Sequence, residues 1–132
     1  MAAYAFSARL GAFGGLDARE AAAVVKSFVD GLTKTNVGYL REHPRTPALY
    51  SSGVYYCHDE RGRERQWWDI PTVIANRCAD CKALAAWRAA ELINMGYAAE
   101  PVVTTSDGSL FHVVVRLGSV IEDPSAILGM HG

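Results

Sequence analysis

Residues 78–96 read CADCKALAAWRAAELINMG, and the rest of the chain arranges itself around them. Asp80 is a residue type that caps helices, so the spacing predicts a helix beginning at Cys81. From there to Met95 nearly every face is apolar: Leu84, Trp87, Leu92 and Met95 form one stripe, and Ala85, Ala86, Ala89, Ala90 and Ile93 fill the others. A helix without a polar side is a central, buried one, and Gly96 supplies its C-terminal stop. Cys81 falls in the first turn, where the positive end of the helix dipole is expected to lower a thiol pKa toward the reactive thiolate.

Downstream, Glu100 to Thr105 and Ser109 to Leu117 are rich in valine and threonine and flank Ser106-Asp107-Gly108, which is turn chemistry; they predict a hairpin. Gly118-Ser119 turns the chain again into a third strand, Val120 to Asp123, ended by Pro124. Met130, His131 and Gly132 read as a loose C-terminus. Upstream, Asp17 and Glu20 have capping-box spacing, and Ala21, Val24, Val25, Phe28 and Leu32 follow at three-and-four intervals, predicting an amphipathic outer helix. Residues 36 to 53, with Gly38, Pro44, Pro47 and Gly53, predict a short separate helix over Val37 to Glu42 and then turns. Val54 to Cys57 suits a brief strand, His58 to Arg65 a solvated charged loop, and Pro71 the opening of a short helix reaching Ala75. Tyr4 and Phe6 alternate with Ala5 and Ser7 in the manner of an edge strand or docking arm. The sum is an α+β arrangement: N-terminal helices outside, a central buried helix, then an antiparallel meander.

Composition narrows the function. A chain of 132 residues, half of them hydrophobic, predicts one domain, residues 1–132, with a core that needs no staples. Thirteen basic against fourteen acidic residues leave no global field to attract nucleic acid or anionic membrane. No apolar run approaches the ~20 residues of a membrane span, and no cleaved signal is apparent, so a soluble, cytoplasmic protein with three reduced cysteines is the expectation.

Cys81, His112 and Asp123 come in an order that suits thiol catalysis. Strand alternation puts Leu110, His112, Val114 and Arg116 on one face. If that face meets the start of the central helix, His112 reaches Cys81 while Asp123, on the neighbouring strand, holds the other imidazole nitrogen. Plainer readings compete: a cysteine in a helix is commonly an inert small hydrophobe, and a strand histidine a hydrogen-bonded core residue. Cys78 and Cys81 also form a CxxC, which serves as a redox dithiol or half a zinc site. The former wants a preceding βαβ strand and the latter two more ligands, for which only Cys57, His58 and distant histidines are available.

Together, Trp68-Asp69-Ile70-Pro71, Asn76 to Cys81, the helix to Gly96-Tyr97, His112 and Asp123-Pro124 resemble the transglutaminase-like superfamily, especially its bacterial cysteine proteinases. The resemblance covers roughly Gln66 to Ser125 and lies in the order and spacing of several elements. It implies a papain-like core in which Cys81 is the nucleophile, His112 the general base and then acid, and Asp123 the residue fixing the imidazole, with Cys78 a bystander. One oxyanion donor would be the Cys81 N–H, and the second would come from Trp68, Gln66 or Asn76. The implied reaction is acyl transfer on a protein or peptide amide through a thioester, with no cofactor and no metal. Ala79 replaces the family's usual glycine, and Lys82-Ala83 replace an acidic pair that in many members takes part in calcium binding, so no calcium is inferred. Compact versions of this fold in phage and viral genomes suggest the alternative of a non-catalytic structural or adaptor module, a virion component bound to an assembly partner.

Overall fold

The computed structural model describes residues 5–7, 17–58, 66–105 and 111–130. In chain order they form β1 (Ala5–Ser7), α1 (Ala18–Glu42), a 3-10 turn (Leu49–Ser51), β2 (Tyr55–Tyr56), β3 (Gln66–Trp68), α2 (Ile70–Asn76), β4 (Cys78–Ala79), α3 (Cys81–Asn94), β5 (Ala99–Thr105), β6 (Phe111–Leu117), β7 (Val120–Glu122) and α4 (Pro124–Ile127). The chain is thus a mixed helix-and-sheet protein. The anticipated loop over His58 to Arg65 and the turn at Ser106 to Gly108 lie outside the described residues, except for His58, which is exposed.

Each main helix starts where its cap residue stands. Asp17 Oδ1 accepts from Glu20 N–H at 2.8 Å, and Glu20 Oε1 accepts from Asp17 N–H at 3.3 Å, completing the capping box. Asp69 caps α2 through Thr72 N–H, with Pro71 in its first turn. Asp80 caps α3 through Ala83 N–H at 3.2 Å, and Gly96 leaves the helix with φ +94°.

α1 differs from the sequence expectation. It is a single 25-residue helix running through exposed Gly38, with no break near Lys34. Tertiary contacts override the local glycine penalty of ~1 kcal/mol. Buried Asn36 accepts the Ile70 N–H at 3.0 Å, and Asn94 and Arg41 bond each other at 2.9 Å, tying the ends of α1 and α3 together. Tyr39 and Leu40 carry its apolar face onward into a second cluster of core residues.

α3 lies between two such clusters, which accounts for its apolar circumference. Ala85, Ala86, Ala89 and Leu92 pack with Val25, Val29 and Leu32 of α1 and with Val113 and Val115 of β6. Ala83, Leu84 and Trp87 pack the other way, against Leu49, Val54, Ile70 and Val73. The alanines let backbones approach closely, and Trp67 and Trp87 are the largest fully buried side chains among the described residues.

β5, β6 and β7 form an antiparallel sheet in that order, with Thr104↔His112 and Val115↔Glu122 among the paired positions. Two smaller pairs complete the structure: β1 runs antiparallel to β3, and β2 runs parallel to β4 with Tyr56 opposite Ala79. α4 folds back so that Leu128 accepts the Tyr56 N–H at 2.9 Å, and Met130 N–H donates to Ser125 O at 2.8 Å; the rest of the loose end anticipated there, His131 and Gly132, lies outside the described residues.

The cysteines also depart from expectation. Cys57 and Cys78 form a disulfide across β2 and β4, with Cα atoms 5.4 Å apart, and Cys81 is the free thiol. The competing reading of Cys78 and Cys81 as a redox dithiol or zinc half-site does not hold, because Cys78 is bonded to Cys57. Among the described residues no helix is long and apolar enough to cross a membrane.

Candidate functional site

Three elements converge at the N-terminus of α3. β4 delivers Asp80 and Cys81, β6 delivers His112, and β7 ends one residue before Asp123. The Val115↔Glu122 register would set Val113 opposite Pro124, where β7 has already given way to α4. The Cys81 sulfur occupies this region and accepts a hydrogen bond from the Val113 N–H. His112 is the preceding residue, and its Nε2 lies 2.8 Å from Asp123 Oδ2. Asp123 is itself held by capping α4, its Oδ1 accepting from Ala126 N–H at 3.3 Å. With Nε2 engaged, Nδ1 is the imidazole nitrogen left to exchange a proton.

His112 and Asp123 are each 30% exposed, whereas Cys81 is partly buried and packs against the core. Among the described residues no hydrogen bond joins thiol and imidazole directly. The sheet face explains this: Val113 and Val115, on the face opposite His112, are the residues packed against α3, so the imidazole stands beside the helix terminus and not beneath it.

The electrostatics differ from the helix-dipole expectation. Burial pushes the Cys81 thiol up to about 11, and the neighbouring Asp80 carboxylate adds to the rise. Lys82 and the Val113 N–H oppose it without prevailing, and Asp123 raises it slightly further. The resting thiol is neutral. Lys82 is almost fully buried; its Nζ bonds Asp80 Oδ2 at 2.6 Å and lies 5.2 Å from the centre of the Trp67 ring. The Asp80 carboxylate therefore does two things, capping α3 with one oxygen and neutralising a buried ammonium with the other.

Of the proposed second oxyanion donors, Asn76 donates its amide to Thr72 O at 2.8 Å on the exposed side of α2, and Trp68 packs against the second core cluster. The Gln66 side chain is outside the described residues. Sequence reasoning missed Tyr56. Its phenol is pushed up by burial, then by Cys81 once that thiol ionises and by the Asp80 carboxylate, which places it in their electrostatic neighbourhood, and its hydroxyl lies 3.4 Å from His58 Nδ1. Two-residue strands have no periodicity, so nothing in the sequence marks Tyr56 as a neighbour of Ala79.

A second polar cluster, also unforeseen, stands behind Asp123. Glu122 accepts from Arg88 Nε at 2.6 Å and from Tyr50 Oη at 2.5 Å. Burial works against its charge, but these two bonds outweigh it and hold the carboxyl below the usual range. Arg88 also donates to Glu91 at 3.1 Å and stacks on the Tyr50 ring, while Glu91 accepts from Trp87 Nε1 at 3.1 Å and from Leu49 N–H at 2.7 Å. Among the described residues no group of three or more histidine, cysteine or acidic side chains is arranged to hold a metal ion.

Comparison of the chain with models of protein families, with curated proteins and with solved structures finds no match in any of the three.

Proposed function

We propose that the protein is a cysteine-dependent acyl-transfer enzyme, a thiol hydrolase or protease acting on protein or peptide amides, with Cys81 as nucleophile, His112 as base and Asp123 as the group that orients it. The observation carrying this reading is the His112–Asp123 pair at 2.8 Å, with the Cys81 thiol bonded to the backbone of the very next residue, Val113. A helix-borne cysteine followed by histidine on one strand and aspartate just past the end of the next supports a transglutaminase-like, papain-like core as the architecture.

The chemistry follows from the neutral thiol. His112 Nδ1 takes the thiol proton as sulfur attacks the amide carbon, because a thiol pushed up to about 11 has no standing thiolate at neutral pH. The carbonyl oxygen becomes an oxyanion beside the Cys81 N–H, which as a first-turn donor of α3 has no partner within the helix. His112 then protonates the departing amine, leaving a thioester on Cys81. Water, deprotonated by the same imidazole, attacks the thioester and releases the acid and the thiol; an amine in place of water gives transamidation.

Alkylation by iodoacetamide at pH 7, with the adduct located by mass spectrometry, tests the base. Cys81 should react far faster than its own ionisation permits, and His112→Ala should remove the excess. Equal rates with and without the imidazole would remove His112 from the chemistry.

The raised thiol, and the lack among the described residues of a direct thiol–imidazole bond, favour one other reading, a non-catalytic module of the same architecture that binds an assembly partner, such as in a virion. That reading predicts no acyl transfer to Cys81 from any donor.

A further inference from the structure

We infer that Glu122 is a positioning residue for the His112–Asp123 pair, held by Arg88 and Tyr50 in a clamp that fixes the orienting carboxylate relative to the helix carrying the nucleophile. The inference rests on the acyl-transfer reading above and concerns the same site.

Asp123 is the first residue beyond β7, and a chain end leaving an edge strand of three residues has little to define its direction. Two anchors define it here. On the far side, Pro124 and Ser125 are buried in the start of α4. On the near side, the Glu122 carboxylate enters a part-buried cluster with Arg88 and Tyr50. Arg88 Nε meets Oε2 at 2.6 Å, Tyr50 Oη meets the same oxygen at 2.5 Å, and Arg88 Nη2 lies 3.5 Å from Oε1. The guanidinium is fixed in turn by Glu91 at 3.1 Å and by the Tyr50 ring 5.0 Å away.

Arg88 and Cys81 are seven residues apart on α3, two turns along one side of the same helix. A charge-assisted bond from Arg88 to Glu122 therefore ties the helix bearing the thiol to the strand end bearing Asp123, across 34 residues of sequence. The other two residues of the strand, Val120 and Ile121, are exposed. Without the clamp Asp123 keeps its cap on α4 but loses its fixed approach to Nε2, and a displacement of about 1 Å at a catalytic group costs up to ~100-fold.

The test compares the unchanged protein with Glu122→Ala, Glu122→Gln and Tyr50→Phe. It reads the rate of Cys81 alkylation by iodoacetamide at pH 7 and the NMR signal of the His112 Nε2 proton, whose low-field position reports its bond to Asp123. Glu122→Ala should lower the His112-dependent alkylation roughly tenfold and shift or broaden the imidazole signal. Glu122→Gln, which keeps an oxygen acceptor for Arg88 and Tyr50, should recover most of both. A folded Glu122→Ala with unchanged rate and unchanged imidazole signal overturns the inference. Should Glu122→Ala not fold, Tyr50→Phe decides, since it deletes one bond to Glu122 without altering charge: a change in both readouts supports the clamp and no change in either refutes it. If alkylation of the unchanged protein does not depend on His112 at all, the acyl-transfer reading falls, while the imidazole signal still decides whether Glu122 positions Asp123.

Discussion

Replacing Asp80 by asparagine should make Cys81 more acidic without dismantling α3. Asparagine caps helices about as well as aspartate, so the bond to Ala83 N–H, 3.2 Å in the native protein, should persist. What disappears is the negative charge that, after burial, contributes most to the raised thiol, and Lys82, which opposes the rise, is released from its neutralising partner. An opposite-charge environment at this range is worth about one pH unit or more, so the thiolate fraction at neutral pH should grow at least about tenfold. Starting from about 11, the thiol is ionised in only about one molecule in ten thousand at pH 7, which leaves ample room for the change to be seen. Stability should fall by ~1–3 kcal/mol, because buried Lys82 exchanges a carboxylate for an amide oxygen. The assay is the pH dependence of Cys81 alkylation in a His112→Ala background, where only the thiol's own ionisation sets the rate. A thiol that titrates at the same pH or higher in Asp80→Asn, in a protein that remains folded, would refute the electrostatic account of the site.

Other expectations follow from the same contacts. Glu91→Ala leaves the Leu49 N–H, the Trp87 indole and the Arg88 guanidinium without their shared acceptor, and urea unfolding should report a loss of about 3–5 kcal/mol; a loss below 1 kcal/mol would mean the cluster relaxes around the gap. Glu122 titrates lower in the folded protein than in the unfolded chain, so its stabilisation is fully present above the ordinary carboxyl value of ~4.3 and fades as pH falls through the depressed one. The acid-unfolding curve of Glu122→Gln should lack that part of the slope, and superimposable curves would contradict the assignment. The Cys57–Cys78 disulfide closes a separation of 21 residues, and replacing both cysteines by serine should cost about 3 kcal/mol in a denaturant titration. An unchanged midpoint would show that β2 and β4 are held by their other bonds.

How much of this was legible in the sequence depended on whether the signal was local. The cap residues Asp17 and Asp80, the helix opening at Pro71, the stop at Gly96 and the valine-rich hairpin all lie within a few residues of the structure they specify, and each stands where expected. The all-round apolar character of residues 81–95 correctly placed α3 at the centre, between two clusters. The continuity of α1 through Gly38 was not legible, because the contacts that enforce it come from Ile70 and Asn94. The same is true of the Cys57–Cys78 pairing, which depends on two strands of two residues each. At the site, His112 and Asp123 meet as their strand positions implied, whereas the thiol pKa was misjudged from a local feature: the helix dipole favours the thiolate, but burial and the capping carboxylate outweigh it. The Glu122 clamp joins positions 50, 88 and 122, a relation that single-sequence periodicity does not carry.

The most direct test of the central claim is to expose the protein to p-nitrophenyl acetate and follow both nitrophenolate release and the intact mass. The account predicts a burst, one acetyl group on Cys81 as a thioester, and its hydrolysis with return of the free thiol, with both steps slowed in His112→Ala and abolished in Cys81→Ala. Acetylation that bypasses Cys81, or that forms and clears there at the same rate without His112, would contradict it and leave the three residues as parts of a scaffold.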